Sequence, residues 1–206
     1  MSRWTSLVAI YAAVGLLFGG VATYLRGGPW LHPEPWFTLP TVTAHWYSAL
    51  LGLTLGFAGV AATSALVKKT TWARTLHEEL RPFVSSMPSS GIYLVALFSA
   101  LGEEMLFRSV VQSSTNLWIQ ALIFGLAHQL PGRARWTWAL WATIMGLCFG
   151  ALYQATGSLL GPIVAHATIN AMNLHFLQSH PSSPPEARSL GGILGQHSSL
   201  EANAPH

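Results

Sequence analysis

The chain has 206 residues, of which 51% are apolar, 11% aromatic and only 8% charged. An ordinary soluble domain carries about 25% charged residues, so this composition argues against one and fits a membrane protein rich in aromatics and glycine. The net charge of +3 is small and the basic residues are scattered, which excludes a nucleic-acid-binding surface.

The first apolar run, 4–25, follows Arg3. It is long and lacks a small-x-small cleavage site, so it reads as an uncleaved first span and not a signal peptide. A second run covers 42–67, and the polar stretch 68–89 reads as a cytoplasmic loop. Within it, Thr75-Leu76-His77-Glu78-Glu79-Leu80 reads as an interfacial helical turn, with Glu78 and Glu79 solvated among basic neighbours. Four more runs follow at 90–112, 115–130, 136–155 and 158–178. A helix needs about 20 residues to cross the hydrocarbon core. The fourth run is short for that and is stopped by Pro131-Gly132. The single cysteine, Cys148, can form no intramolecular disulfide. The tail 179–206 is rich in Pro, Ser and Gly and reads as disordered, with His180, His197 and His206 too scattered to make a site.

These runs predict an all-α polytopic membrane helix bundle of about six transmembrane helices. With the N-terminus in the cytoplasm, 8 of the 10 basic residues (Arg3, Lys68, Lys69, Arg74, Arg81, Arg133, Arg135 and Arg188) fall inside. Both termini are therefore expected to be cytoplasmic.

The chain has 7 acidic residues, and two stand side by side in the apolar stretch Ser99-Ala100-Leu101-Gly102-Glu103-Glu104-Met105-Leu106-Phe107-Arg108. Ionisable groups inside a membrane are costly, face the bundle interior and mark sites. On a helix, Glu104 and Arg108 share a face. Glu103 points about 100° away, so one glutamate can be held by the arginine while the other is free. A structural ion pair locking two helices would need only one of them.

Phe124 and His128 share a helix face in the fourth run, and His166 and Asn170 do so in the sixth. His175 falls at headgroup level. Singly, each reads as well as interhelical hydrogen-bond glue. Together, two carboxylates, two imidazoles, an amide and a guanidinium make a water-activating set. Glu103, His128 and His166 would also suit zinc, although no HExxH pattern is present. The residues alone leave open a small transporter or channel, or a non-catalytic membrane scaffold with a buried Glu/His site. One tension is visible: Glu103 lies ~20 Å along its span from Ser90, whereas His128 lies at the cytoplasmic end of span four.

The three motifs in order, Glu103-Glu104-x-x-x-Arg108, Phe124-x-x-x-His128 and His166-x-x-x-Asn170, resemble the CPBP family of intramembrane proteases, which includes the CAAX prenyl endopeptidase of the Rce1 type and the abortive-infection proteins. The linker Thr156-Gly157-Ser158 between the last two runs fits the same pattern. The resemblance covers about residues 90–178. It implies a four-helix catalytic core there, preceded at 1–89 by two spans and a cytoplasmic loop and followed at 179–206 by the tail. It further implies an intramembrane endopeptidase acting on a membrane-associated protein or peptide precursor, in a multi-pass protein of a bacterial inner (plasma) membrane. Carried over, Glu103 activates water with help from His128, while His166 and Asn170 stabilise the oxyanion. The catalytic set implied is Glu103, Glu104, His128, His166 and Asn170, in which Glu104 supports the others; Arg108 and Phe124 are supporting residues beside it. The chemistry implied is glutamate-type without metal, or zinc-dependent with Glu103, His128 and His166 as ligands.

Overall fold

Each of the six apolar runs forms a helix in the computed structural model, which describes residues 3–129 and 132–180. The helices are α1 Arg3–Arg26, α2 Thr41–Lys69, α3 Thr71–Val84, α4 Ser89–Glu104, α5 Leu117–Ala127, α6 Arg135–Thr156 and α7 Leu160–Ser179. α4 runs on into a π-helical segment, Met105–Gln112. Among the described residues no strand forms, and the one isolated bridge joins Leu31 to Ser158. The expected all-α class is observed. The tail beyond residue 180 lies outside the described residues.

Among the described residues, three helices, α1, α2 and α6, are long and apolar enough to cross a membrane. α5 has 11 residues, and α4 has 16 before its hydrogen-bonding register changes. Large apolar side chains point outward: Leu16 is 80% exposed, Trp118 71% and Leu140 62%. Such an exterior has lipid as its natural solvent, and the chain is an integral membrane protein.

α1 packs on α4, α4 on α7, and α7 on α2, making a row of four. α5 and α6 pair with each other, and both meet the π segment. Lipid tails are as apolar as leucine, so helices in a bilayer cohere by close backbone approach and by polar contacts. Ala44, Ser48, Gly52, Gly56 and Gly59 form the buried stripe of α2, and its glycines lie against α7. A Cβ on Gly52 would overlap the carbonyl oxygen of Gly161. Ser48, fully buried, accepts from Gly161 N at 3.0 Å and donates to Ser158 O at 3.0 Å.

The turn between α6 and α7 is set by Gly157, whose φ of 73° ends α6 in the left-handed region open to glycine. The loop 27–40 folds over this turn. His32 N donates to Gly157 O at 2.9 Å, Trp36 N to Gln154 O at 2.8 Å, and Leu159 N to Trp30 O at 2.9 Å. Arg26 fastens the start of the loop by donating to Ser109 O and, at 2.9 Å, to Ser109 Oγ.

The segment expected to be a loop with one helical turn is instead a 14-residue amphipathic helix, α3. Its apolar positions Ala73, Leu76, Leu80 and Val84 recur at helical spacing and face the bundle. The solvated reading of Glu79 also fails. Its carboxylate accepts from Arg133 N at 2.9 Å and Ala134 N at 3.4 Å, satisfying free N–H groups at the start of α6. Glu78 stays exposed.

Candidate active site

The adjacent glutamates of α4 part company, as their angular separation predicts. Glu104 is fully buried: its Oε2 lies 3.0 Å from Arg108 Nε, and its Oε1 lies 2.8 Å from His166 Nδ1. Glu103 retains 12% side-chain exposure and faces a cavity of about 610 Å³.

Arg108, also fully buried, is enclosed by rings and carbonyls. Its guanidinium carbon lies 4.3 Å from the centre of the Phe124 ring and 5.3 Å from that of Phe149. Its Nη2 donates to Gly146 O at 3.4 Å, and one turn on Gln112 Nε2 donates to Gly150 O at 2.9 Å. Gln120 of α5 reaches the same Gly146 carbonyl at 2.9 Å. The π segment carries both Arg108 and Gln112, in keeping with the frequent placement of π turns at functional sites.

His128 terminates α5, a helix begun by Asn116, whose Oδ1 accepts from Trp118 N and Ile119 N at 3.0 and 2.9 Å. His128 Nδ1 lies 2.7 Å from Phe124 O. A carbonyl can only accept, so Nδ1 carries the hydrogen, and Nε2 is turned toward Glu103, 3.4 Å from Oε2. His166 is arranged in parallel. Its Nδ1 is bound to Glu104, and its Nε2 lies 3.8 Å from the same Glu103 oxygen. Phe149 stacks on the His166 ring, 5.3 Å between centres. The depth conflict dissolves because α5 is short, so its end lies at the level of Glu103.

Glu103, His128, His166, Asn170 and Phe124 all line the same cavity, whereas Glu104 and Arg108 stand behind its wall. Asn170 lies one turn along α7 from His166 and donates from Nδ2 to Ser99 Oγ at 3.0 Å. An amide has two N–H groups, so one remains for the cavity. His175, expected at headgroup level, is exposed.

Three neighbours of these groups escape a reading of the sequence: Ser99 as the partner of Asn170, Phe149 as the platform under His166, and Tyr11. Tyr11 of α1 lines the cavity. Ser99 stands one turn before Glu103, a spacing that flags it once Glu103 is known to face a cavity. Nothing in the sequence singles out Phe149 or Tyr11 among so many aromatics.

The conditional zinc ligands Glu103, His128 and His166 converge, with both Nε2 atoms toward the carboxylate. As placed they do not make a metal site: among the described residues, no group of three or more His, Cys, Asp or Glu side chains is arranged to hold an ion.

Residues 85–172 match the family described as type II CAAX prenyl endopeptidase Rce1-like. This stretch is similar to the Rce1-like family. It contains α4, the π segment, α5, α6 and the part of α7 that bears His166 and Asn170. A Bacillus subtilis (strain 168) protein described as uncharacterized protein YpbD is 36% identical over 81 residues, which is 39% of this chain and 42% of that protein. The chain thus matches less than half the length of that relative. No solved structure matches the chain.

Proposed function

We propose that this protein is an intramembrane endopeptidase that cleaves a membrane-associated protein or peptide precursor with a water activated by Glu103. One observation carries the reading. Glu103 meets the Nε2 atoms of two histidines in a cavity, while its neighbour Glu104 is fully engaged behind the wall. A structural ion pair would leave no such free carboxylate. The Rce1-like match supports the same reaction class.

In the proposed reaction, Glu103 takes a proton from water as the hydroxide adds to the scissile carbonyl carbon. His166 and Asn170 donate to the oxygen that becomes negative. Glu104 holds the His166 ring in place through Nδ1, the role a buried carboxylate plays behind a catalytic imidazole. When the intermediate collapses, the C–N bond breaks and the proton returns through Glu103 or His128 to the leaving amine. Arg108 holds Glu104 in place. The cavity extends from Glu103 to Leu76, Leu80 and Phe83 of α3, at the end of the bundle where Lys68, Lys69, Arg74 and Arg133 gather. The substrate is read as entering from that end, with both termini on the cytoplasmic side of the membrane.

The test compares membranes of cells carrying the wild type and Glu103→Gln at equal protein level. Gln keeps the shape but cannot accept the proton, so one membrane precursor is expected to accumulate uncut. His166→Ala and Asn170→Ala are expected to slow cleavage by about 10²–10³-fold. Cleavage by purified protein is expected to survive a chelator. Full cleavage by Glu103→Gln would end the general-base reading.

A further inference from the structure

Two asparagines on α7 are held in the same way. Asn170 Nδ2 donates to Ser99 Oγ of α4 at 3.0 Å, and Asn173 Nδ2 donates to Thr63 Oγ1 of α2 at 3.5 Å. Each hydroxyl has given its own hydrogen to a carbonyl of its helix, Ser99 to Ala96 O at 3.2 Å and Thr63 to Gly59 O at 2.9 Å. A hydroxyl so committed can only accept, which turns an N–H of each amide toward it. The amide carbonyl oxygen and the second N–H are left over. Among the described residues these two groups of Asn173 meet no hydrogen-bonding partner. Asn173 lines the same cavity as Asn170, Glu103 and the two histidines.

His166, Asn170 and Asn173 fall within about 60° of one another around α7 and span about 10 Å along its axis. Extended chain rises about 3.3 Å per residue, so the row matches about three residues of a strand laid along the helix. The end of α7 meets α3, where His77 Nε2 lies 3.3 Å from His180 O. Asn173 therefore stands between the reacting groups and the α3 end of the cavity. Apolar side chains surround it there, among them Leu66, Val67, Leu174 and Leu177. A peptide main chain entering such a space needs partners for its N–H and C=O groups, and an amide side chain offers both an acceptor and a donor. The proposed chemistry uses His166 and Asn170 and makes no call on Asn173. We propose that Asn173, oriented by Thr63, is a binding residue for peptide backbone: its free carbonyl and N–H hold the main chain of an extended substrate on the α3 side of the bond to be cut. Such a contact reads no side chain, so it admits different apolar sequences while requiring a peptide main chain. The inference rests on the peptide substrate of the proposed function, but it is tested by binding and not by cleavage.

The probes are a dansylated leucine heptapeptide amide and its ester analogue of the same length, built from leucic acid, which keeps the side chains and lacks the backbone N–H groups. The full chain, in lipid nanodiscs, carries Glu103→Gln so that nothing is cut. Energy transfer to dansyl from Trp138 and Trp141, which line the cavity, reports binding, and unlabelled peptide competes away the specific part. Asn173→Ala is expected to weaken heptapeptide binding about fivefold, the size of a net hydrogen bond, and to change ester binding less than about twofold. Asn173→Leu, close to asparagine in volume, is expected to repeat the contrast and replaces the alanine variant if that does not fold. Thr63→Val, which removes the orienting acceptor, is expected to show part of it. Met172→Ala, altered at an exposed residue of the same helix, is expected to match the parent. Equal losses for the two probes would make Asn173 a packing residue and overturn the proposal. Unchanged heptapeptide affinity in a folded Asn173 variant, or no saturable binding to the parent, would overturn it as well. If the contrast is seen and no precursor accumulates in Glu103→Gln cells, the cleavage reading falls and the peptide site stands. If a precursor accumulates and the contrast is absent, only the role of Asn173 falls.

Discussion

The pair α1 and α2 and the stretch 85–172 hold together by different means. α1 and α2 contain no acidic residue, and most of their surface faces outward. They attach through small residues that let backbones touch, as Gly52 does at Gly161 and Gly102 at Tyr11. The stretch 85–172 instead buries a full charge pair, Glu104 and Arg108, with His166, Gln112 and Gln120 around it. In lipid, apolar side chains gain nothing by meeting one another, so close approach and polar partnership are the two remaining sources of cohesion. The first tolerates no added bulk, and the second tolerates no removed partner.

Arg108→Ala should cause the largest loss. It leaves Glu104 buried without its cation, at roughly 3–5 kcal/mol. Expected outcomes are a sharp fall in monodisperse yield from detergent and a lower unfolding temperature. Arg108→Lys should recover only part, because an ammonium lacks the flat face that stacks on Phe124. Normal yield for Arg108→Ala would mean that the pair contributes nothing to cohesion.

Gly52→Ala should come next, at about 1–3 kcal/mol of overpacking between α2 and α7. Gly20→Ala is the matched control. A Cβ there meets nothing within 4 Å, so the change should be neutral or slightly stabilising through helix propensity. Equal behaviour of the two variants in thermal unfolding would erase the contrast drawn for α1 and α2.

Much of the second region is legible in the sequence. Charges cannot be hidden among lipids without partners, so Glu103, Glu104, Arg108, His128 and His166 announce a shared interior. What escapes has physical reasons. The hydrogen-bond register of Met105–Gln112 has no side-chain signature. α3 reads as a loop because its charges lower the overall hydropathy, although the recurrence of Ala73, Leu76, Leu80 and Val84 carries the helical period. Glu79 looks solvated because its partners are backbone N–H groups 54 and 55 residues away. Tyr11 is hidden because an apolar first helix offers no clue to which aromatic faces inward.

The smallest expected effect concerns the loop that closes the far end of the bundle. His32 lies there, its ring edge-on to Tyr153 at 4.9 Å and its Nδ1 accepting from Glu34 N at 3.0 Å. Burial first, and the nearby Arg26 charge second, hold its pKa below the ordinary histidine value, with Glu34 opposing them. The folded chain thus prefers neutral His32, and the unfolded chain binds more protons just below pH ~6.5. Stability is therefore full above that pH and falls as the pH drops through it, levelling off below the folded pKa. The unfolding temperature should be slightly lower about one pH unit below that value than about one unit above it, and His32→Gln should flatten part of that difference. An unchanged pH dependence in His32→Gln would assign the acid sensitivity to another group and leave His32 as a packing residue alone.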